Sequence, residues 1–232
     1  MAYTKKQIIE MCEKASEDMK FFYKADVVNY SGESSNNELY TEIVAKWLLN
    51  NLTKLDEIKP HTRESTYNRE HDGKLGEGKE DLEKNIAIKI FKQKNFDDDL
   101  TIIDYQTPLK NRRADKFGEI DLLAVNYKEK CVYIFELKKE DSNETMLKCV
   151  LEGYTYLKTV CQEKLLKDFE KFGLDASYTI KAAPLVFEGK RQHVEYDDNR
   201  RVFLHELMRK LSITPFFLLI NDKGNFVIKE GK

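Results

Sequence analysis

No apolar run in this chain of 232 residues approaches the roughly 20 residues that a membrane span needs. The opening residues, Met1-Ala2-Tyr3-Thr4-Lys5-Lys6, lack the apolar stretch and small-residue cleavage site of a signal peptide, so a cytoplasmic protein is expected. Four cysteines (Cys12, Cys131, Cys149 and Cys161) form no C-x-x-C pair, and buried free thiols are expected rather than zinc ligands or disulfides. The four histidines make no metal-spaced cluster, and the glycine signatures of phosphate-binding and dinucleotide-binding loops are missing, as are those of serine hydrolases. An excess of charge is lacking too. Lys and Arg number 39 against 41 Asp and Glu, a net charge of −2, so the surface as a whole is no magnet for nucleic acid. Local basic patches can still hold phosphate.

What is present describes a folded α/β chain. Hydrophobic residues make up 41% and aromatics 11%, enough for one sizeable core, while 34% charged residues call for a heavily solvated surface. Residues 78–94 read as a helix, with Leu82, Ile86 and Ile90 at i, i+4, i+8 and Phe91 beside them; Gly76 and Gly78 mark its approach. Residues 101–106 read as a strand ended near Pro108. Residues 118–126 and 131–138 read as two more, rich in Ile, Leu, Val, Tyr and Phe. A helix is expected from Asp141 or Ser142 to about Val160, with Met146, Val150 and Leu157 in the core. A last strand follows over 178–187.

The chemistry lies in the hairpin. Tyr127-Lys128-Glu129-Lys130 is of turn length. A turn centred between Lys128 and Glu129 makes paired positions sum to 257, which sets Asp121 opposite Glu136. Opposed side chains share a sheet face about 5 Å apart, and alternation adds Lys138 to that face. A slip of one residue would send Asp121 to the other side. Two carboxylates this close raise each other's pKa unless a cation compensates, and Mg²⁺ or Mn²⁺ suits oxygen ligands. Such an ion beside a phosphate activates water, while Lys138 orients that water or stabilises charge. A bare E-x-K on a strand is far more often an exposed face with a salt bridge; the opposed Asp121 and the element order set this one apart.

At Asp121 and Glu136-Leu137-Lys138 the chain resembles the PD-(D/E)XK nuclease superfamily, over roughly residues 76–187, with Ile120 in place of the proline. The resemblance implies a restriction-endonuclease-like core of helix, three strands, helix and strand, with a mixed central sheet flanked by helices. It implies a Mg²⁺- or Mn²⁺-dependent nuclease hydrolysing phosphodiester bonds of DNA, with RNA as the less favoured substrate. The metal would be held by Asp121, Glu136 and the carbonyl of Leu137. An acid on the first helix assists in some members, and Glu83 is the first candidate, Glu80 the second. In RecB-like members a Gln and a later Tyr on the second helix reach the site. Glu152 and Tyr156 stand there, with an acid in place of the amide, and Glu152 could equally pair with Lys148. Glu119 shares the face of Asp121 as a reserve ligand.

The flanks complete the expectation. The basic loop Lys110, Arg112, Arg113 and Lys116 leads into the active strand and suits phosphate contact; Lys190 and Arg191 form a weaker patch. Amphipathic helices are read over 5–23 and 38–53, packed on the core, with a homodimer contact as the alternative. The polar stretch 59–80, carrying Arg63, Arg69 and His71, borders the cleft or acts as a disordered spacer. A helix over 196–211 and a hairpin of 214–220 with 225–228 end the chain, the hairpin extending the sheet or packing beside it. The division is thus 1–75, helices and polar loop, and 76–232, the nuclease-like domain. The rival function is a non-catalytic nuclease-like domain that binds nucleic acid or a protein partner.

Overall fold

Asn126 closes the central hairpin: its side-chain oxygen accepts the Glu129 N–H at 3.0 Å, and Lys130 takes the left-handed conformation at φ 49°. The computed structural model describes residues 2–231 except Thr62, 75–81, 97–98, 112–114 and Lys116. Glu80, Arg112, Arg113, Lys116, Gly76 and Gly78 therefore lie outside the described residues, as does the side chain of Leu82. The hairpin joins β3 (Glu119–Asn126) to β4 (Cys131–Leu137), with Leu122 opposite Phe135 and Leu123 opposite Ile134. Both pairs sum to 257, the register read from the turn.

Among the described residues seven strands form one mixed sheet in chain order. β1 (Asn95–Phe96), β2 (Leu100–Pro108), β3 and β4 run antiparallel. β5 (Thr179–Phe187) lies parallel to β4, and β6 (Phe216–Ile220) parallel to β5. β7 (Phe226–Glu230) closes antiparallel on β6, so the C-terminal hairpin extends the sheet. Helix α3 (Leu82–Gln93) covers one face, through Ala87, Ile88 and Ile90 against Tyr105, Leu122 and Phe135. The Gln93 amide bonds the Phe226 backbone in both directions, at 2.6 and 2.9 Å, so the far hairpin rolls over to meet α3.

The other face buries α4 (Met146–Thr159) on β4 and β5. Helices α1 (Lys5–Ala15) and α2 (Tyr40–Asn50) join the same cluster, so the N-terminal segment packs on the core. The single helix expected over 5–23 is broken: after α1 a 3₁₀ segment, Ser16–Lys24, bends at Asp18 (φ −138°, ψ 89°). Between β4 and β5 a short α5 (Gln162–Asp168) follows α4. The helix expected over 196–211 is also two elements, α6 (Arg191–Asp197) and α7 (Val202–Lys210). Asp198 accepts the Arg200 N–H at 3.0 Å between them. The Glu42 carboxylate then starts α7 afresh, accepting the Phe203 and Leu204 N–H groups at 2.8 Å each.

The described part of the stretch 59–80 is largely exposed but anchored at several residues. Tyr67 is fully buried and its N–H donates to Asp168 at 2.8 Å; Arg63 donates to the carbonyls of Thr66 (3.0 Å) and Lys110; His71 pairs with buried Asp104 at 2.8 Å. Among the described residues no helix is long and apolar enough to cross a membrane.

Candidate active site

The β3–β4 ladder ends at Leu122–Phe135, one pair short of Asp121 and Glu136. There the Asp121 carboxylate enters the gap. Its Oδ2 accepts the Leu137 N–H at 2.9 Å, and its Oδ1 accepts the Gln106 side-chain N–H at 3.1 Å. Gln106 is itself left-handed at φ 49°, a conformation costing about 1 kcal/mol in a side-chain-bearing residue, and it holds that strain beside the acid it aims.

Lys138 continues β4 past the gap and turns inward. It is only 4% exposed, and its Nζ lies 2.6 Å from Glu136 Oε1, 2.8 Å from Glu144 Oε2 and 3.3 Å from Glu152 Oε2. Tyr156 donates its hydroxyl to Glu152 Oε1 at 2.9 Å from one turn further along α4. The tyrosine presses on the chain entering β3: a Cβ at Gly118 would lie 2.2 Å from its hydroxyl, so any larger residue there would force the ring to move. Glu83 on α3 accepts the Lys139 N–H at 3.1 Å and reaches the same rim.

The electrostatics follow from crowding. Burial lifts the Asp121 carboxyl to about 7; Glu83 and Glu152 add to the rise, while Lys138 and the Leu137 N–H oppose it. Burial likewise lifts Glu136 well above the carboxylate range, with Glu152 and Asp121 adding to it. Burial acts upward on Glu152 as well, but the Lys138 ammonium, with Lys148 and the Tyr156 hydroxyl, holds it below the usual value. Two neighbouring acids are thus driven apart, one towards a proton and one towards charge. The Lys138 ammonium is desolvated, yet Glu136 and Glu152 keep it charged far beyond neutral pH.

Asp121, Glu136, Lys138, Glu152, Tyr156 and Glu83 therefore lie in one neighbourhood. Four departures stand beside them. Glu119 pairs with Lys110 at 2.6 Å, which takes it out of reserve. Lys110 is consequently neutralised, and of the basic loop it alone lies within the described residues. Glu152 engages Lys138 directly, whereas Lys148 pairs with Glu144. Helix α4 starts at Met146 and not near Asp141 or Ser142. Thr145 caps it by accepting the Lys148 N–H at 3.2 Å, and Glu195 accepts the Met146 N–H at 2.8 Å. Gln106 and Glu144 went unnoticed in the sequence, where nothing but their spacing from Asp121 and Lys138 marks them.

Glu136 Oε2 is buried without a hydrogen-bond partner. Nothing among the described residues hydrogen-bonds that oxygen, and the hard oxygen donors around it suit Mg²⁺ or Mn²⁺. Among the described residues no ready-made group of three or more His, Cys, Asp or Glu ligands occurs; Lys138 Nζ stands between the carboxylates. A cavity of about 250 Å³ lined by Glu129, Tyr133, Phe216 and Glu230 lies at the turn end of the hairpin, away from Asp121. No protein-family model, curated protein or solved structure matches this chain.

Proposed function

We propose that this protein is a divalent-metal-dependent nuclease of the PD-(D/E)XK type, hydrolysing phosphodiester bonds of DNA in preference to RNA. The observation that carries the reading is the meeting of Asp121, Glu136 and Lys138 where β3 and β4 part, with one Glu136 oxygen buried and unpartnered. The order of the longer elements, α3, β2, β3, β4, α4 and β5, with only the two-residue β1 and the short helical segments after α4 between them, supports it. Asp121, Glu136 and the Leu137 carbonyl would hold Mg²⁺ or Mn²⁺, with Glu83 assisting from the rim. When bound, the ion supplies phosphate polarisation and a more acidic water.

The chain's own groups supply the remainder. Gln106 and the Leu137 N–H fix the Asp121 carboxylate in the gap. Lys138 keeps a full positive charge in a buried place, where it is worth more to a phosphate gaining negative charge than an exposed lysine is. Glu152, held by Tyr156, sets the direction of that ammonium. The Tyr156 hydroxyl, pushed up by burial and by Glu136 and Glu152, stays protonated and so keeps the proton it donates to Glu152.

The test is cleavage of linear and circular, single- and double-stranded DNA and of RNA, with Mg²⁺, Mn²⁺ or EDTA. Cleavage that EDTA stops supports the reading and defines the substrate. Absence of cleavage on every substrate with either metal overturns it. One observation favours the non-catalytic alternative: Lys138 is already engaged by three carboxylates. In that case Mg²⁺ would leave the melting temperature unchanged.

A further inference from the structure

Glu144 belongs to no motif, yet its loop is built to bring it to Lys138. Its N–H is accepted by Ser142 Oγ at 3.3 Å. Its carbonyl accepts the Gln192 amide at 2.7 Å, from a side chain only 1% exposed. Next to it Thr145 is tied to Asn29 and Val28 at 2.8 and 2.9 Å. One carboxylate oxygen pairs with Lys148; the other, Oε2, is buried 2.8 Å from Lys138 Nζ but out of hydrogen-bond alignment. The ammonium has three N–H bonds. It donates to Glu136 Oε1 at 2.6 Å and to Glu152 Oε2 at 3.3 Å. Two buried oxygens without a hydrogen bond among the described residues, Glu136 Oε2 and Glu144 Oε2, thus belong to carboxylates that face one ammonium.

Resting on the nuclease reading, we infer that Glu144 is a positioning residue that receives the Lys138 ammonium when the Glu136 carboxylate is given over to a divalent cation. Glu136 holding both positive charges would set them against each other. A buried lysine deprived of its carboxylate is strongly unfavourable unless another takes its place. Glu144 is already within reach, its Oε2 lying 2.8 Å from the ammonium. Glu152 alone is a poorer substitute, since Tyr156 occupies its other oxygen.

The experiment is calorimetric titration of Ca²⁺ into the full chain, with thermal melts to verify folding. Glu144→Gln is expected to weaken binding about tenfold, and Glu144→Asp to recover most of the loss. Glu140→Gln removes the same charge from the exposed side of the loop, where it pairs with Lys190, and is expected to change binding by less than about twofold. In cleavage, Glu144→Gln lowers kcat and leaves KM for nucleic acid unchanged. Wild-type affinity in Glu144→Gln, or an equal loss in Glu140→Gln, overturns the assignment and leaves the nuclease reading standing. Failure of the unsubstituted protein to bind any divalent cation overturns both.

Discussion

The Asp121 carboxylate accepts the Leu137 N–H at 2.9 Å where the ladder between their strands has stopped, so an acid side chain replaces a main-chain carbonyl. The gap admits charge because the sheet opens there, and the opening is stabilised by the same carboxylate.

That acid makes stability depend on pH. Its folded pKa is raised to about 7 by burial, so it binds a proton more tightly folded than unfolded. The resulting stabilisation is complete below about pH 4 and is lost as pH rises through 7. Asp121→Asn keeps an oxygen for the Leu137 N–H and removes the loss. In EDTA at pH 8 the variant should melt higher than the parent by roughly 3 °C, about 1 kcal/mol in a chain of this size. The gap should close by pH 4. A lower melting temperature at pH 8 would contradict the raised pKa.

Lys138→Met removes the ammonium that lies within salt-bridge distance of Glu136, Glu144 and Glu152 together. Urea unfolding in EDTA should show a loss of about 3–5 kcal/mol, the cost of leaving buried charge uncompensated. Mg²⁺ should restore part of it and none of the cleavage. A variant as stable as the parent without metal would mean that these pairs are neutralised by proton uptake.

Gly118→Ala tests the contact between the β3 entrance and α4. The added methyl meets the Tyr156 hydroxyl at 2.2 Å and its Cζ at 2.6 Å, so the ring must move and release Glu152. The expected cost is about 1–3 kcal/mol, with cleavage reduced. In a double-mutant cycle with Tyr156→Leu the two costs should fall short of their sum by more than about 0.5 kcal/mol. Additive costs would show that the two residues do not touch.

The sequence made the hairpin register legible because turn length and alternation are local properties. Asp121, Glu136 and Lys138 could be placed from them alone. The start of α4 could not. Asp141 and Ser142 have the chemistry of helix caps, but Gln192 holds the carbonyls of Ser142 and Glu144, and Asn29 and Val28 hold Thr145, all from distant parts of the chain. Glu144 was hidden for the same reason. The break between α6 and α7 likewise depends on Glu42, some 160 residues away in sequence.

Gln106→Gly separates strain from function. Glycine accepts φ 49° without cost, so stability should change by no more than about 1 kcal/mol. The bond to Asp121 is lost, and cleavage should fall about tenfold with unchanged KM for nucleic acid. Full activity in this variant would show that the Leu137 N–H alone fixes the acid.

The most direct measurement compares the parent protein and Lys138→Ala, both in Mn²⁺ and in EDTA, on double-stranded DNA in a preparation free of other nucleases. The account predicts cleavage by the parent in Mn²⁺ only, with none from the variant under either condition. Equal cleavage by the two proteins, or cleavage that persists in EDTA, would contradict it.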